Sequence, residues 1–287
     1  MSTKLRLIAS AVIVLAALFL VGGCLSGKQE TSEKVELGYV EWATEVASTN
    51  VVKVALEDQL GVEVEITPVD AAVMWQGLAN GDFDAIVAAW LPETHRDYFA
   101  RTKEKVDYLG PNLEPAKIGL VVPAYVSIDS IEELNSVKDK FDKEIVGIDP
   151  GAGVMEAARR AIADYGLDLK LVESSGAAMT VALTNAVRNG DWVVVTGWSP
   201  HWKFQKWDLK YLADPKQSFG DAEYIATIAR KGLREDMPQV YSFLDNFQWD
   251  VSDMESVMVD IQDGMDPEKA AQKWVDSNRE KVKSWAK

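Results

Sequence analysis

One cysteine, Cys24, stands in 287 residues, so no intrachain disulfide can brace the fold. His95 and His201 are the only histidines. Two histidines and one cysteine would leave a zinc site to be completed by carboxylates, which argues against one; no metal and no other cofactor is expected. There is no third histidine from which to build alternative Ser–His–acid arrangements, and no Gly-x-Ser-x-Gly elbow, so a hydrolase finds little support. The spaced phosphate loop with its Lys-Ser/Thr end is also missing. Positive charge is scarce, with 30 Lys and Arg against 45 Asp and Glu, and this argues against a nucleic-acid partner.

What the chain has in excess is tryptophan, with ten residues. Its apolar fraction of 47% and charged fraction of 26% are ordinary for a globular protein. The length allows two medium domains, each with its own core.

Residues 1–24 read as a targeting segment. Lys4 and Arg6 precede the run Leu7 to Val21, in which Ser10 is the one polar residue, and "LVGGC" ends at Cys24. Small residues before a lone cysteine resemble a lipoprotein signal, in which Cys24 becomes the lipidated first residue; a plain membrane anchor is the alternative. Either reading puts the remainder outside the cytoplasm, tethered to the membrane. Residues 25–34, "LSGKQETSEK", are polar and aperiodic, as in a flexible tether. Removal of residues 1–24 leaves 28 basic against 45 acidic residues, a formal charge of -17.

Two stretches are variations on one phrase. "NGDFDAIVAAWLPETH" spans 80–95 and "NGDWVVVTGWSPHW" spans 189–202. Each runs Asn-Gly-Asp, an apolar run, Trp, one residue, Pro. The elements around them repeat as well. A strand at 35–40, a helix at 48–61 capped near Ser48 or Thr49, a strand at 62–67, a helix at 70–81 and a buried strand at 84–90 make β-α-β-α-β, the pattern of a parallel sheet. A strand at 144–150, a helix at 153–166, a strand at 169–175, a helix at 176–190 and a buried strand at 192–198 repeat it. "IGLVVP" and "YIATIARKG" read as crossover and return strands. Residues 266–287 read as an amphipathic C-terminal helix anchored by Trp274 and Trp285. The expectation is a two-lobed α/β protein with its ligand in the cleft, lobe 1 being 35–120 plus 225–287 and lobe 2 being 121–224.

In open α/β sheets, ligands sit outside the carboxyl ends of parallel strands. Trp90 and Trp198 lie at such ends, and Trp42 follows the first strand in "YVEWATE". Three converging indoles make an electron-rich box suited to a quaternary ammonium ion. The competing reading is that each is core. Trp75 and Trp192 read as packing residues. "DPGAGVM" (149–155) is a Gly-rich turn entering a helix, where the amides of Gly153 and Val154 could receive a carboxylate; a plain strand-to-helix turn is the alternative. His95 could donate to the same carboxylate.

"YVEWATEVASTNVV", "VMWQGLANGDFDAIVAAWLPETH", "GIDPGAGVM", "TGWSPHW" and "LKYLADPKQSFG" together resemble the glycine betaine-binding lipoproteins of ABC importers, the OpuAC type. The resemblance spans nearly all of the chain after the tether. It implies a type II periplasmic-binding-protein fold that closes on its ligand and delivers it to a membrane permease driven by an ATPase. The family's aromatic cage falls on Trp42, Trp90 and Trp198, and its carboxylate contacts fall on Gly153, Val154 and His95. Some members carry the two halves in the opposite order; here the "YVEW" half comes first. The expected function is capture of glycine betaine, and of proline betaine, by a monomer held at the outer face of the cell membrane by lipid on Cys24. Another quaternary ammonium solute such as choline or carnitine, or a surface enzyme acting on such a compound, are the alternatives.

Overall fold

A computed structural model of the protein describes residues 34–287; the signal segment, Cys24 and the tether lie outside them. Three parallel strands come first among the described residues. β1 (Lys34–Tyr39) leads into α1 (Ala43–Leu60), β2 (Glu63–Pro68), α2 (Ala71–Asn80), β3 (Ala85–Leu91) and α3 (Arg96–Thr102). β3, "AIVAAWL", is buried at every position, as a strand covered on both faces must be. α1 and α2 end on Gly61 and Gly81, both left-handed, with φ 67° and 83°, the conformation glycine adopts without a Cβ penalty.

β4 (Val106–Pro123) then crosses the molecule. Its first part, to Ala116, pairs antiparallel with β9 (Glu223–Arg230), and from Lys117 onward it pairs with β7 (Val195–Ser199). The second half of the sheet is built from β5 (Glu144–Val146), α4 (Gly153–Tyr165), β6 (Lys170–Val172), α5 (Gly176–Asn189), β7, α6 (Lys203–Lys206) and β8 (Leu209–Tyr211). β9 returns the chain to the first half, and α7 (Leu233–Asp236), α8 (Pro238–Asn246), α9 (Val251–Gln262), α10 (Pro267–Ser277) and α11 (Arg279–Trp285) follow. α9 and α10 pack against α1. The strand order is β2-β1-β3-β9-β4-β7-β5-β6, with β8 on β4. The two-lobed α/β architecture expected from the sequence is therefore present, as two parallel wings joined by antiparallel β9 and β4.

Four local expectations change. α1 starts at Ala43, five residues before Ser48, with Trp42 as its extended N-cap; Ser48 and Thr49 are buried on the helix. β4 runs through Gly110, Pro111 and Pro115, and it is the register shifts against β9 that let these residues into a strand. Trp192 to Val194 precede β7 rather than forming it. The C-terminal helix is two helices, interrupted at Asn278, with Trp274 and Trp285 stacked 6.0 Å apart and both buried, as anchors should be. Among the described residues, no helix is long and apolar enough to cross a membrane.

Candidate functional site

The three strand-end tryptophans are brought together by the two wings. Trp42 caps α1, Trp90 is the penultimate residue of β3, and Trp198 lies in β7. All three line one cavity. Thr44, Glu45, Thr94, His95, Ile118, Ile148, Ala152, Gly153 and Val154 complete its wall. The six residues singled out in the sequence thus meet at one place. The indoles are 7%, 3% and 5% exposed, so each ring is buried in the protein.

Each wall is held by a distinct interaction. The turn after β3 folds back on itself: His95 N–H donates to the Trp90 carbonyl (2.8 Å), and Trp90 N–H donates to His95 Nδ1 (3.1 Å). Glu223, at the start of β9, accepts from the N–H groups of Glu93 and Thr94 (2.8 and 2.6 Å) and from the Thr94 hydroxyl. Leu91–Pro92 is a cis peptide bond, as is Ser199–Pro200 in the matching turn. His95 is fully buried, among Trp42, Trp75 and Tyr98. Burial lowers its pKa from 6.5 to about 3, so the imidazole is neutral at ordinary pH. Because Nδ1 accepts, the proton resides on Nε2, and Nε2 has no partner. The cavity therefore contains one uncommitted imidazole donor.

A second set of donors comes from α4. Ala152 is its N-cap, so Gly153 and Val154 occupy the first two helical positions, whose N–H groups have no carbonyl inside the helix. They carry the positive end of the helix dipole. Glycine is required at 153. A Cβ there would lie 2.0 Å from the Thr94 carbonyl oxygen, across the cleft, and backbone cannot yield as a flexible side chain would. Two hydrogen bonds span the same divide. Trp42 Nε1–H donates to Asp149 Oδ2 (2.9 Å), and the Tyr98 hydroxyl donates to the Gly151 carbonyl (2.9 Å). The two wings are in contact around the cavity.

Glu45 was not foreseen. It is 1% exposed, and its carboxylate accepts from Trp90 Nε1–H (2.7 Å) and from the Thr44 hydroxyl (2.5 Å). Burial pushes its pKa from 4.5 to about 7, against the pull of those two donors. The signal was available: Glu45 lies three residues after Trp42, on the same face of a helix, but that face is visible only once α1 is known to begin at Ala43. Asp149 and Thr94 were also missed, because their roles depend on the opposite wing. Lys203, fully buried beneath Trp198, belongs with them.

Residues 33–277 match the OpuAC family, the substrate-binding domain of ABC-type glycine betaine transport systems. The chain belongs to that family. A lactococcal OpuAC in a closed conformation complexed with glycine betaine is 48% identical to it, with a TM-score of 0.86 over 89% of this chain and 100% of that one. The glycine/betaine/L-proline-binding protein ProX of Borrelia burgdorferi is 36% identical, with a TM-score of 0.86 over 89% and 97%. The glycine betaine/carnitine transport binding protein GbuC of Listeria monocytogenes is 51% identical over 150 residues, 51% of this chain and 50% of the relative; the match thus spans about half the length of that curated relative. These OpuAC relatives are substrate-binding transport proteins and not enzymes, in line with the absence of nucleophile motifs in the sequence.

Proposed function

We propose that this protein is the extracytoplasmic substrate-binding component of an ABC importer and that it captures glycine betaine, with proline betaine as a second ligand, for osmoprotective uptake. The observation that carries the reading is the presence, in one cavity, of three indoles, the unpartnered His95 Nε2–H and the first two helical amides of α4. Trp42, Trp90 and Trp198 form the cage for the trimethylammonium group, each ring contributing about 0.5–2 kcal/mol once the cation is desolvated. His95 Nε2–H and the amides of Gly153 and Val154 receive the carboxylate. Glu45 holds Trp90 by its ring nitrogen and brings negative charge toward the cation. Ligand bound to both wings favours their closure, with lobe 1 as residues 35–120 plus 225–287 and lobe 2 as 121–224.

A permease and its ATPase are the partners in this reading, and lipid on Cys24 holds a monomer at the outer face of the cell membrane. Carnitine is a second reading, supported by the name of the Listeria relative and by the fact that carnitine also carries a carboxylate. Choline would leave His95 Nε2–H and two helix amides unpaired in a buried site, which costs about 1–3 kcal/mol per orphaned group. A calorimetric titration of the purified protein with glycine betaine, carnitine, choline and proline tests this. One-to-one binding of betaine, well ahead of choline and proline, is expected. Absence of any heat or tryptophan fluorescence change with betaine would refute the assignment, and carnitine ahead of betaine would move it to the second reading.

A further inference from the structure

Lys203 opens α6 directly behind the cage. No part of it is exposed, and Nζ has no hydrogen-bond partner. Nζ lies 4.3 Å from the centroid of the Trp198 ring and 5.6 Å from that of Phe204. Lys203 is not part of the cavity wall, whereas Trp198 is. The ammonium thus touches a ring of the cavity wall without lining the cavity itself. A buried lysine without an acidic partner is costly to keep charged, and a purely structural position would be filled more cheaply by an apolar side chain of the same length.

We propose that Lys203 is a specificity-determining residue, whose charge over the Trp198 ring disfavours ligands with a net positive charge and so selects zwitterionic quaternary amines over simple cations. The inference rests on the reading of Trp198 as a cage wall. A cation in the cage and the Lys203 ammonium share one ring. Their repulsion crosses a thin, poorly screened layer. A betaine offsets it with its own carboxylate, which is held in the same cavity; choline has nothing to offset it.

The charged and titratable groups around Lys203 do not cancel this effect. His201 donates nothing to it: its Nδ1 accepts from Lys203 N–H (3.1 Å), and burial, with Lys203 beside it, holds its pKa well below 6.5, so it is neutral. Glu255 on α9 is taken by the Gln205 side chain (2.8 Å). Lys117 on β4 sits over Tyr211, and Lys206 over Trp202 and Trp207. Glu45, on α1, lines the cavity itself and is held by Trp90 Nε1–H and the Thr44 hydroxyl. Burial alone lowers the Lys203 pKa from 10.5 to about 7. Below that pH the amine is charged and opposes a cation; as pH rises through it, the opposition disappears. Glu45, which ionises near the same pH, favours a cation with the same sign, so the contribution of Lys203 is the difference between the wild type and Lys203→Met.

The experiment is a titration of both proteins with choline and with glycine betaine at pH 6 and pH 9. At pH 6, one unit below the amine's pKa, Lys203→Met should bind choline about five- to tenfold more tightly than the wild type and betaine no more than about twofold more tightly. At pH 9 the two proteins should agree within about twofold for both ligands. An equal gain for both ligands, or a ratio that does not change with pH, would mean that Lys203 acts through packing, and the proposal would fall while the cage stands. If neither protein bound either ligand at either pH, the cage reading would fall and this one with it. Should Lys203→Met fail to fold, the Lys203 Cε resonance in lysine-labelled wild type gives the same answer. Choline should lower its titration midpoint by more than betaine does; a midpoint unmoved by choline overturns the proposal.

Discussion

The two Trp-x-Pro turns start from almost the same letters and arrive at different chemistry. After β3, the histidine bonds backward: His95 Nδ1 accepts from Trp90 N–H, and its free Nε2–H is left to the cavity. After β7, the histidine bonds forward: His201 Nδ1 accepts from Lys203 N–H, and the ring packs edge-on against Trp198 at 4.9 Å. Behind Trp90 stands an acid, Glu45, which grips the ring nitrogen. Behind Trp198 stands a base, Lys203, over the ring face, while Trp198 Nε1 has no partner. A repeated phrase sets the course of the backbone. What each turn can do is set by the groups that reach it from elsewhere in the fold.

The largest expected contrast separates the two histidines. His95→Asn should weaken glycine betaine binding by at least about thirtyfold, since a hydrogen bond to a charged group contributes about 1.5–3 kcal/mol, and should weaken choline much less. His201→Asn should leave betaine affinity within about threefold and show itself mainly as a lower Tm, because the lost contacts are internal packing. Calorimetry and thermal unfolding on both variants decide; equal losses of betaine affinity would erase the distinction.

Two glycines give a contrast of intermediate size. Gly153→Ala drives a methyl group into the Thr94 carbonyl and should weaken betaine by about tenfold or more, a closure penalty of at least about 1.4 kcal/mol. Gly176→Ala meets only the Trp42 ring, at an ordinary 3.5 Å, and should change affinity by less than about threefold. Small-angle scattering with and without betaine would show whether Gly153→Ala still compacts. Normal compaction and affinity would mean that the approach of Thr94 to α4 is not needed for binding.

Much of this was legible in the sequence, and the omissions share a cause. Buried strands ending in Trp declared themselves through hydrophobic runs bounded by Asn-Gly-Asp and Pro, so Trp90, Trp198 and the wings around them could be placed. Gly153 and Val154 were readable as the start of a helix. The first helix was set too late because Ser48 and Thr49 look like caps, whereas burial of the whole segment decides its start. β4 was hidden by Pro111 and Pro115, which only a neighbouring strand with shifted register can accommodate. Glu45, Asp149 and Thr94 act through partners 45, 107 and 129 residues away in the chain, separations at which local patterns carry no signal.

The smallest contrast lies between the rings themselves. Trp90→Phe removes a donor from Glu45, whereas Trp198→Phe removes an N–H that has no partner. Trp90→Phe should weaken betaine by about fivefold and Trp198→Phe by about twofold, the loss of one buried hydrogen bond accounting for the difference. The pH dependence sharpens this. Glu45 has a folded pKa raised from 4.5 to about 7, so its contribution to stability is full below about 4.5 and falls as pH rises toward 7. The ionised form leans most on the Trp90 donor. Trp90→Phe should therefore lower Tm more at pH 8 than at pH 4, while Trp198→Phe, which weakens the ring under the Lys203 ammonium, should lower Tm no more at pH 8 than at pH 4. Parallel Tm profiles for the two variants would contradict the role given to Glu45.

The central claim is that one cavity recognises both ends of a zwitterion, and a crystal structure of the protein grown with glycine betaine tests it most directly. The account predicts the trimethylammonium group between Trp42, Trp90 and Trp198, with the carboxylate on His95 Nε2 and the amides of Gly153 and Val154. Betaine in the reverse orientation, or bound outside this cavity, would contradict it.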